Sequence, residues 1–334
     1  MKLQFELVAT IERYPADVML KYAELAEKNG FDAIGVPDHF HPWTDTYGQS
    51  GFCWVWIAIA LERLKKVEVG SCVTAPIIRY HPAIVAQAFA TLGYLYPGRV
   101  YLGVGTGEPM NELPLGLEWP THATRLEMLR EALTIIKLLW TKKRVTYKGK
   151  YYKLSKATLY TKPKTKIPIF IAGTGPKIAR LTGEMGDGFI TVPHIKYDVS
   201  KVMKSLSEGA KAMGKDPDKI IKIMHMLVSY DEDYDKALDA TEPWSPVLLP
   251  ALYKYGVFDP IEMEENGSLV GREARAKLFL IITEAEQLIK KLEEFIKRGF
   301  TRFQFNNSSP EPPKFLEMMG REVIPYLKEE YRDS

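Results

Sequence analysis

Glu12, His39 and Glu108 are distant in sequence, yet each falls just past a segment that reads as a β-strand. His39 is the side chain among them whose ordinary pKa lies near neutrality, so it suits general-base work. Glu108 can serve as an acid if burial raises its pKa. Taken singly, the two also read as a helix-capping histidine and a surface carboxylate. Other strand ends are polar as well: Asp38, His41 and Trp43 after the second strand, and Thr74 after the third. The fourth is followed by Gly103-Val104-Gly105-Thr106-Gly107-Glu108 and Asn111, the fifth by Gly173-Thr174-Gly175-Pro176-Lys177. Thr191 follows the sixth, and Asn306 and Asn307 the eighth.

Several familiar chemistries lose ground on spacing. The glycines at 103–107 read G-x-G-x-G and lack the last glycine of the dinucleotide fingerprint G-x-G-x-x-G. Gly173-Thr174-Gly175 opens a helix, where backbone N–H groups can hold a phosphate, although a tight turn has the same composition. His39-Phe40-His41 matches the H-x-H of metal-dependent barrel hydrolases, but no second histidine pair sits at a strand end. Asn306 at the eighth strand is a poor ligand for a divalent ion, so no metal is expected. No G-x-S-x-G nucleophile motif occurs. Trp43 and Trp244 lie in loops and are the tryptophans best placed to line a pocket; Trp54, Trp56 and Trp119 read as packing.

Positioning these groups requires elements that bring the strand ends together. Strand-like and helix-like runs alternate throughout. Strands are predicted at 3–9, 33–36, 67–73, 100–104, 167–172, 188–191, 221–229 and 302–305. Helices are predicted at 16–29, 54–64, 82–95, 125–140, 176–185, 199–213, 285–298 and 313–331. Eight strands, each followed by a helix, is the count of a (β/α)8 barrel, whose catalytic groups gather at the C-terminal ends of the strands; a doubly wound open sheet also alternates. The chain has 334 residues, more than the ~250 typical of such a barrel. The surplus is expected as insertions at the C-terminal face, near 39–52, 108–124, 145–166 and 230–283, within one domain spanning 1–334. Tyr147-Lys148-Gly149-Lys150-Tyr151 predicts a hairpin in the third. Four prolines predict irregular helices in the fourth.

Composition narrows the partners. A balance of 45 basic against 42 acidic side chains leaves a net charge of +3, which argues against a dedicated nucleic-acid binder. Two cysteines, Cys53 and Cys72, are too few for a disulfide scaffold or a cysteine-rich metal site and fit a reducing compartment. The N-terminus lacks the pattern of a signal peptide. The most apolar run, Phe52–Leu61, is far short of the ~20 residues that cross a bilayer. The expectation is a cytoplasmic protein acting on a small molecule, without nucleic-acid or membrane partners.

The motifs Asp38-His39-Phe40-His41-Pro42-Trp43, Arg79-Tyr80-His81-Pro82-Ala83-Ile84-Val85-Ala86-Gln87, Leu102 to Glu112, Ala172 to Lys177 and Asp259-Pro260 together resemble the coenzyme F420-dependent branch of the bacterial-luciferase-like barrels. The resemblance covers nearly the whole chain. It implies a homodimer with F420 in the barrel mouth. Asp38 would bind the cofactor beside His39. Ala75, Thr106, Gly107 and Asn111 would contact the ring and its ribityl chain, and Thr174, Gly175, Lys177 and Ile178 the phosphate. A cis peptide at Cys72-Val73 would form a bulge behind the ring. His39 would take the hydroxyl proton, Glu108 would handle the proton at the ring, Trp43 would stabilise the reacting substrate, and Glu12 would complete the cluster.

Two groups in that branch fit best: secondary alcohol dehydrogenases and glucose-6-phosphate dehydrogenases. At the three positions where the sugar-phosphate enzymes carry basic residues, this chain has Ile195, Glu265 and Leu278, none able to grip a phosphate by charge. Lys196 and Lys277 are one residue away from two of these. Leu159-Tyr160-Thr161-Lys162-Pro163, Lys254-Tyr255 and Asn307-Ser308-Ser309-Pro310 resemble the alcohol enzymes, as does Trp244, which with Val192 and Ile195 would line the substrate site. The expected reaction is hydride transfer between a small secondary alcohol and F420. A sugar-phosphate dehydrogenase, an FMN-dependent monooxygenase and an idle cofactor-binding protein are the alternatives.

Overall fold

The computed structural model describes residues 2–193 and 198–332, apart from the side chains of Pro250 and Ala251. Eleven strands are present among them: β1 (Gln4–Val8), β2 (Ala33–Val36), β3 (Glu68–Ser71), β4 (Val100–Val104), β5 (Val145–Lys148), β6 (Lys153–Ala157), β7 (Ile169–Ala172), β8 (Gly188–Thr191), β9 (Ile221–Tyr230), β10 (Leu280–Ile282) and β11 (Arg302–Asn307). Eight of them close a parallel barrel in the order β1-β2-β3-β4-β7-β8-β9-β11, with β11 pairing back onto β1. Helices flank the strands, so both faces of the sheet are covered and strands such as β4 are buried at every residue. The chain is a (β/α)8 barrel.

The barrel interior carries a charged layer. Glu6 and Arg302 are buried and pair at 2.6 Å. Tyr101 donates its hydroxyl and Gln304 its amide to the other Glu6 oxygen, at 2.6 and 2.9 Å, and Arg302 also reaches Glu68 at 2.7 Å. Such a pair is tolerated because two of the three guanidinium nitrogens meet carboxylates, although Nη2 is buried without a partner among the described residues. Gly35 is required beside it: a Cβ there would sit 2.3 Å from Glu6 Oε1.

Most element boundaries match the sequence expectations within a few residues, with four differences of substance. The helix expected from 125 starts at His122, because the Thr121 hydroxyl accepts the Thr124 N–H and caps it. The last helix is not continuous: Pro312–Met318 and Ile324–Glu330 flank a π-helical turn at Met319–Val323. Pro325, which has no N–H to give to the preceding turn, accounts for the break. Helix Cys53–Arg63, although it carries most of the chain's most apolar run, exposes Val55 and Ile59. The predicted hairpin exists as β5-β6, but it follows a helix rather than a barrel strand, so it leaves from the N-terminal face. It runs back up that helix, where Glu131 accepts the N–H groups of Lys150, Tyr151 and Tyr152.

The segment after β9 contains four short helices and a 3-10 turn, as its prolines suggested, and also β10. β10 pairs with Val228–Tyr230, above the stretch that β8 pairs with on the same edge of β9.

Candidate active site

The loop after β2 carries His39 and is fixed from both sides. Phe40 N–H donates to Asn111 Oδ1 at 2.8 Å, and the Ser50 hydroxyl donates to the carbonyls of His39 and Phe40. Asp38, preceding the histidine, is buried and accepts from Thr74 at 2.7 Å, Arg79 at 2.9 Å and Tyr80 at 3.3 Å. Trp54 in turn donates to Thr74 Oγ1. Asp38 is thus engaged by the protein and does not line the large cavity; it braces the loop that presents His39.

His39 stands between two carboxylates. Its Nε2 lies 3.0 Å from Glu108 Oε2, and its Nδ1 lies 3.7 Å from Glu12 Oε1. The second distance is too long for a hydrogen bond, so Nδ1 is buried without a partner among the described residues, and so, independently, is Glu12 Oε2. Burial pushes the His39 pKa down, but Glu108, Glu12 and Asp38 outweigh it and hold the imidazole above its ordinary value. Burial pushes Glu12 up to about 7 despite the histidine. A histidine held above its ordinary value therefore faces a carboxyl raised to about 7. Trp43 packs edge-on against His39, with ring centroids 5.5 Å apart.

A cavity of about 830 Å³ opens beside this cluster at the C-terminal ends of β3, β4 and β7. His39 and Glu108 line it, together with Cys72, Val73, Ala75, Thr106, Gly107, Asn111, Thr174, Gly175, Lys177 and Ile178. The Cys72-Val73 peptide is cis. Gly107 has φ +75, a conformation that favours glycine. Gly105 of the glycine run also lines the cavity, as do Tyr253 and His122, which were not among the expected residues. His122 opens a helix that the sequence placed three residues later, and Tyr253 comes from the irregular 230–283 segment. Trp244 is buried with Trp43, Met110, Leu252, Met263 and Phe279 in an apolar cluster next to Tyr253. Glu12 approaches His39 from behind the cavity, and Val192 is half-buried just past β8. Ile195 lies outside the described residues. His41, the other half of the H-x-H, is drawn to the Phe258 carbonyl instead, at 3.1 Å.

Residues 3–302 match the family described as luciferase-like monooxygenase. This chain belongs to that family. The luciferase-like barrel is 38% identical over 331 residues to the F420-dependent glucose-6-phosphate dehydrogenase of Microbacterium testaceum, covering 98% of each chain. It is 36% identical to the enzyme of the same name from Mycolicibacterium smegmatis, again over 98% of each. A solved F420-dependent secondary alcohol dehydrogenase in complex with an F420-acetone adduct superposes with a TM-score of 0.92 at 42% identity, over 97% of this chain and 99% of that one. The F420-dependent tetrahydromethanopterin reductase from Methanopyrus kandleri shares the barrel at TM-score 0.78 and 22% identity.

Proposed function

We propose that this luciferase-like barrel is a coenzyme F420-dependent dehydrogenase acting on a small secondary alcohol. The observation that carries the reading is the union of one cavity with the His39–Glu108 pair at its substrate end. The residues present suit the cofactor. At Gly105 a Cβ would stand 2.9 Å from Val73 Cγ2, so the glycine keeps the floor open for a flat ring. Val73 and Ala75 offer apolar contact, and Thr106, Asn111 and Thr174 offer hydrogen bonds. Lys177 and the start of helix Pro176–Met185 would hold the phosphate.

When bound, F420 supplies the hydride acceptor. His39 takes the hydroxyl proton at Nε2 as the substrate oxygen replaces Glu108 there. Glu12, behind Nδ1, stabilises the imidazolium. Glu108 holds the proton exchanged with the cofactor side at Oε2, and its 3.0 Å contact with His39 returns the balance between turnovers. Trp43 holds the reacting substrate.

The apolar cluster around Trp43 and Trp244 supports an alcohol rather than a sugar phosphate. So do two positions expected to be basic in a sugar-phosphate enzyme: Glu265 is exposed on helix Pro260–Ser268, and Leu278 is half-buried. The near-full-length relatedness to the glucose-6-phosphate enzymes keeps the second reading in view.

We further assign one barrel domain and a homodimer. Val55 and Ile59, a turn apart on helix Cys53–Arg63, together with Ile84 and Leu95 on helix Pro82–Leu95, expose apolar surface suited to a second copy. Two free thiols fit a cytoplasmic setting, and no described helix is long and apolar enough to cross a membrane. The test follows loss of oxidised F420 absorbance with isopropanol and glucose 6-phosphate in parallel. Reduction with the alcohol alone is expected; reduction with the sugar phosphate alone refutes the reading.

A further inference from the structure

Tyr253 sits on helix Pro250–Tyr255, in the segment between β9 and β10. It lines the large cavity beside Glu108, and the same two residues line a small apolar pocket with Trp43, Met110 and Leu252. The phenol thus stands at the junction of the proton-handling groups and the apolar wall. Its ring lies 6.0 Å from that of Trp43. Trp43 also touches His39, so the indole is in ring contact with both, while Tyr253 and His39 make no ring contact with each other. Among the described residues the Tyr253 hydroxyl has no hydrogen-bond partner. Burial and the nearby Glu108 carboxylate both push its pKa up, which keeps it a donor at every working pH. A substrate that closes over such a donor is favoured when it offers an acceptor and disfavoured when it offers none.

We propose that Tyr253 is a specificity-determining residue whose hydroxyl donates to a second oxygen of the substrate, one beyond the oxygen being oxidised. This rests on the alcohol reading above and sharpens it: the preferred substrate is a secondary alcohol with a neighbouring hydroxyl or carbonyl group, not a simple alkanol. The closest pair of probes is 2,3-butanediol against 2-butanol, which share four carbons and differ by one oxygen.

For wild type, kcat/KM should favour the diol. In Tyr253→Phe the ratio of diol to alkanol kcat/KM should fall about threefold to tenfold, the scale of one neutral hydrogen bond. Calorimetry gives a readout independent of turnover: the Kd for acetoin should rise by the same factor relative to that for butanone, and this decides the matter if the variant is inactive. Equal losses for both alcohols place the phenol on the oxygen being oxidised and overturn the proposal, as does a ratio that does not move. If wild type binds F420 but oxidises neither alcohol, the alcohol reading itself falls, and this proposal with it.

Discussion

Glu12→Gln tests the proton-handling cluster most directly. At 3.7 Å and an effective dielectric of about 20, a full charge on Glu12 stabilises the His39 imidazolium by about 4 kcal/mol. That corresponds to roughly three pH units. Glu12 itself titrates at about 7, so near neutrality only about half of its charge is present. The expected displacement is therefore about one to two units. The sign follows from the chemistry. Removing the carboxylate lowers the pKa of His39, so its neutral, proton-accepting form appears at lower pH. The acid limb of the kcat/KM profile for alcohol oxidation should move down, while the plateau falls because the base is weaker. The assay is F420 absorbance loss from pH 5 to 9, with the His39 ring protons followed by NMR. An acid limb that moves up, or stays within about 0.3 units of wild type, refutes the pairing.

Three further outcomes follow from named contacts. Gly105→Ala should raise the Kd for F420 about tenfold, or about 1.4 kcal/mol, because its Cβ would press on Val73; fluorescence titration reads this. Arg302→Met should cost about 3–5 kcal/mol in urea unfolding, since it strands the buried Glu6 carboxylate. Buried Glu112 is pushed up to about 7 by desolvation, so its contribution to stability is whole below the ordinary 4.5 and is lost as pH rises through 7. Denaturant midpoints should show that Glu112→Gln lessens this decline, by on the order of 3 kcal/mol between pH 4.5 and 7.5.

Much of the barrel was legible because its strands are short apolar runs and its helices begin and end at strong punctuation. Pro82 and Pro176 open helices where the sequence placed them. The lining of the large cavity was legible because glycine-rich turns and polar strand ends are local signals. What escaped depends on contacts across the fold. Arg302 carries no local sign of a buried role at the start of the last predicted strand; only the closed barrel puts Glu6 beside it. β10 is three residues long and exists because β9 leaves an edge free above β8. Tyr253 has no local signature, as its place depends on how the helices after β9 fold over Trp43. Asp38 was legible as a strand-end residue, but its bonding to Thr74, Arg79 and Tyr80 appears only once the strands are brought together.

The placement of β10 has a consequence for how such enzymes diversify. The segment between Tyr230 and Leu280 departs from β9 and returns to pair with the end of that same strand. Its two ends are thus fixed a few ångströms apart, like the terminals of a plug-in part, while the walls made by β3, β4 and β7 are built from other stretches of chain. Exchanging residues 231–279 with those of a relative should therefore change which alcohol is accepted while leaving the cofactor cradle's sequence untouched. The wall around Trp244 and Tyr253 can drift independently of the cavity floor at β3, β4 and β7, because separate lengths of chain encode them.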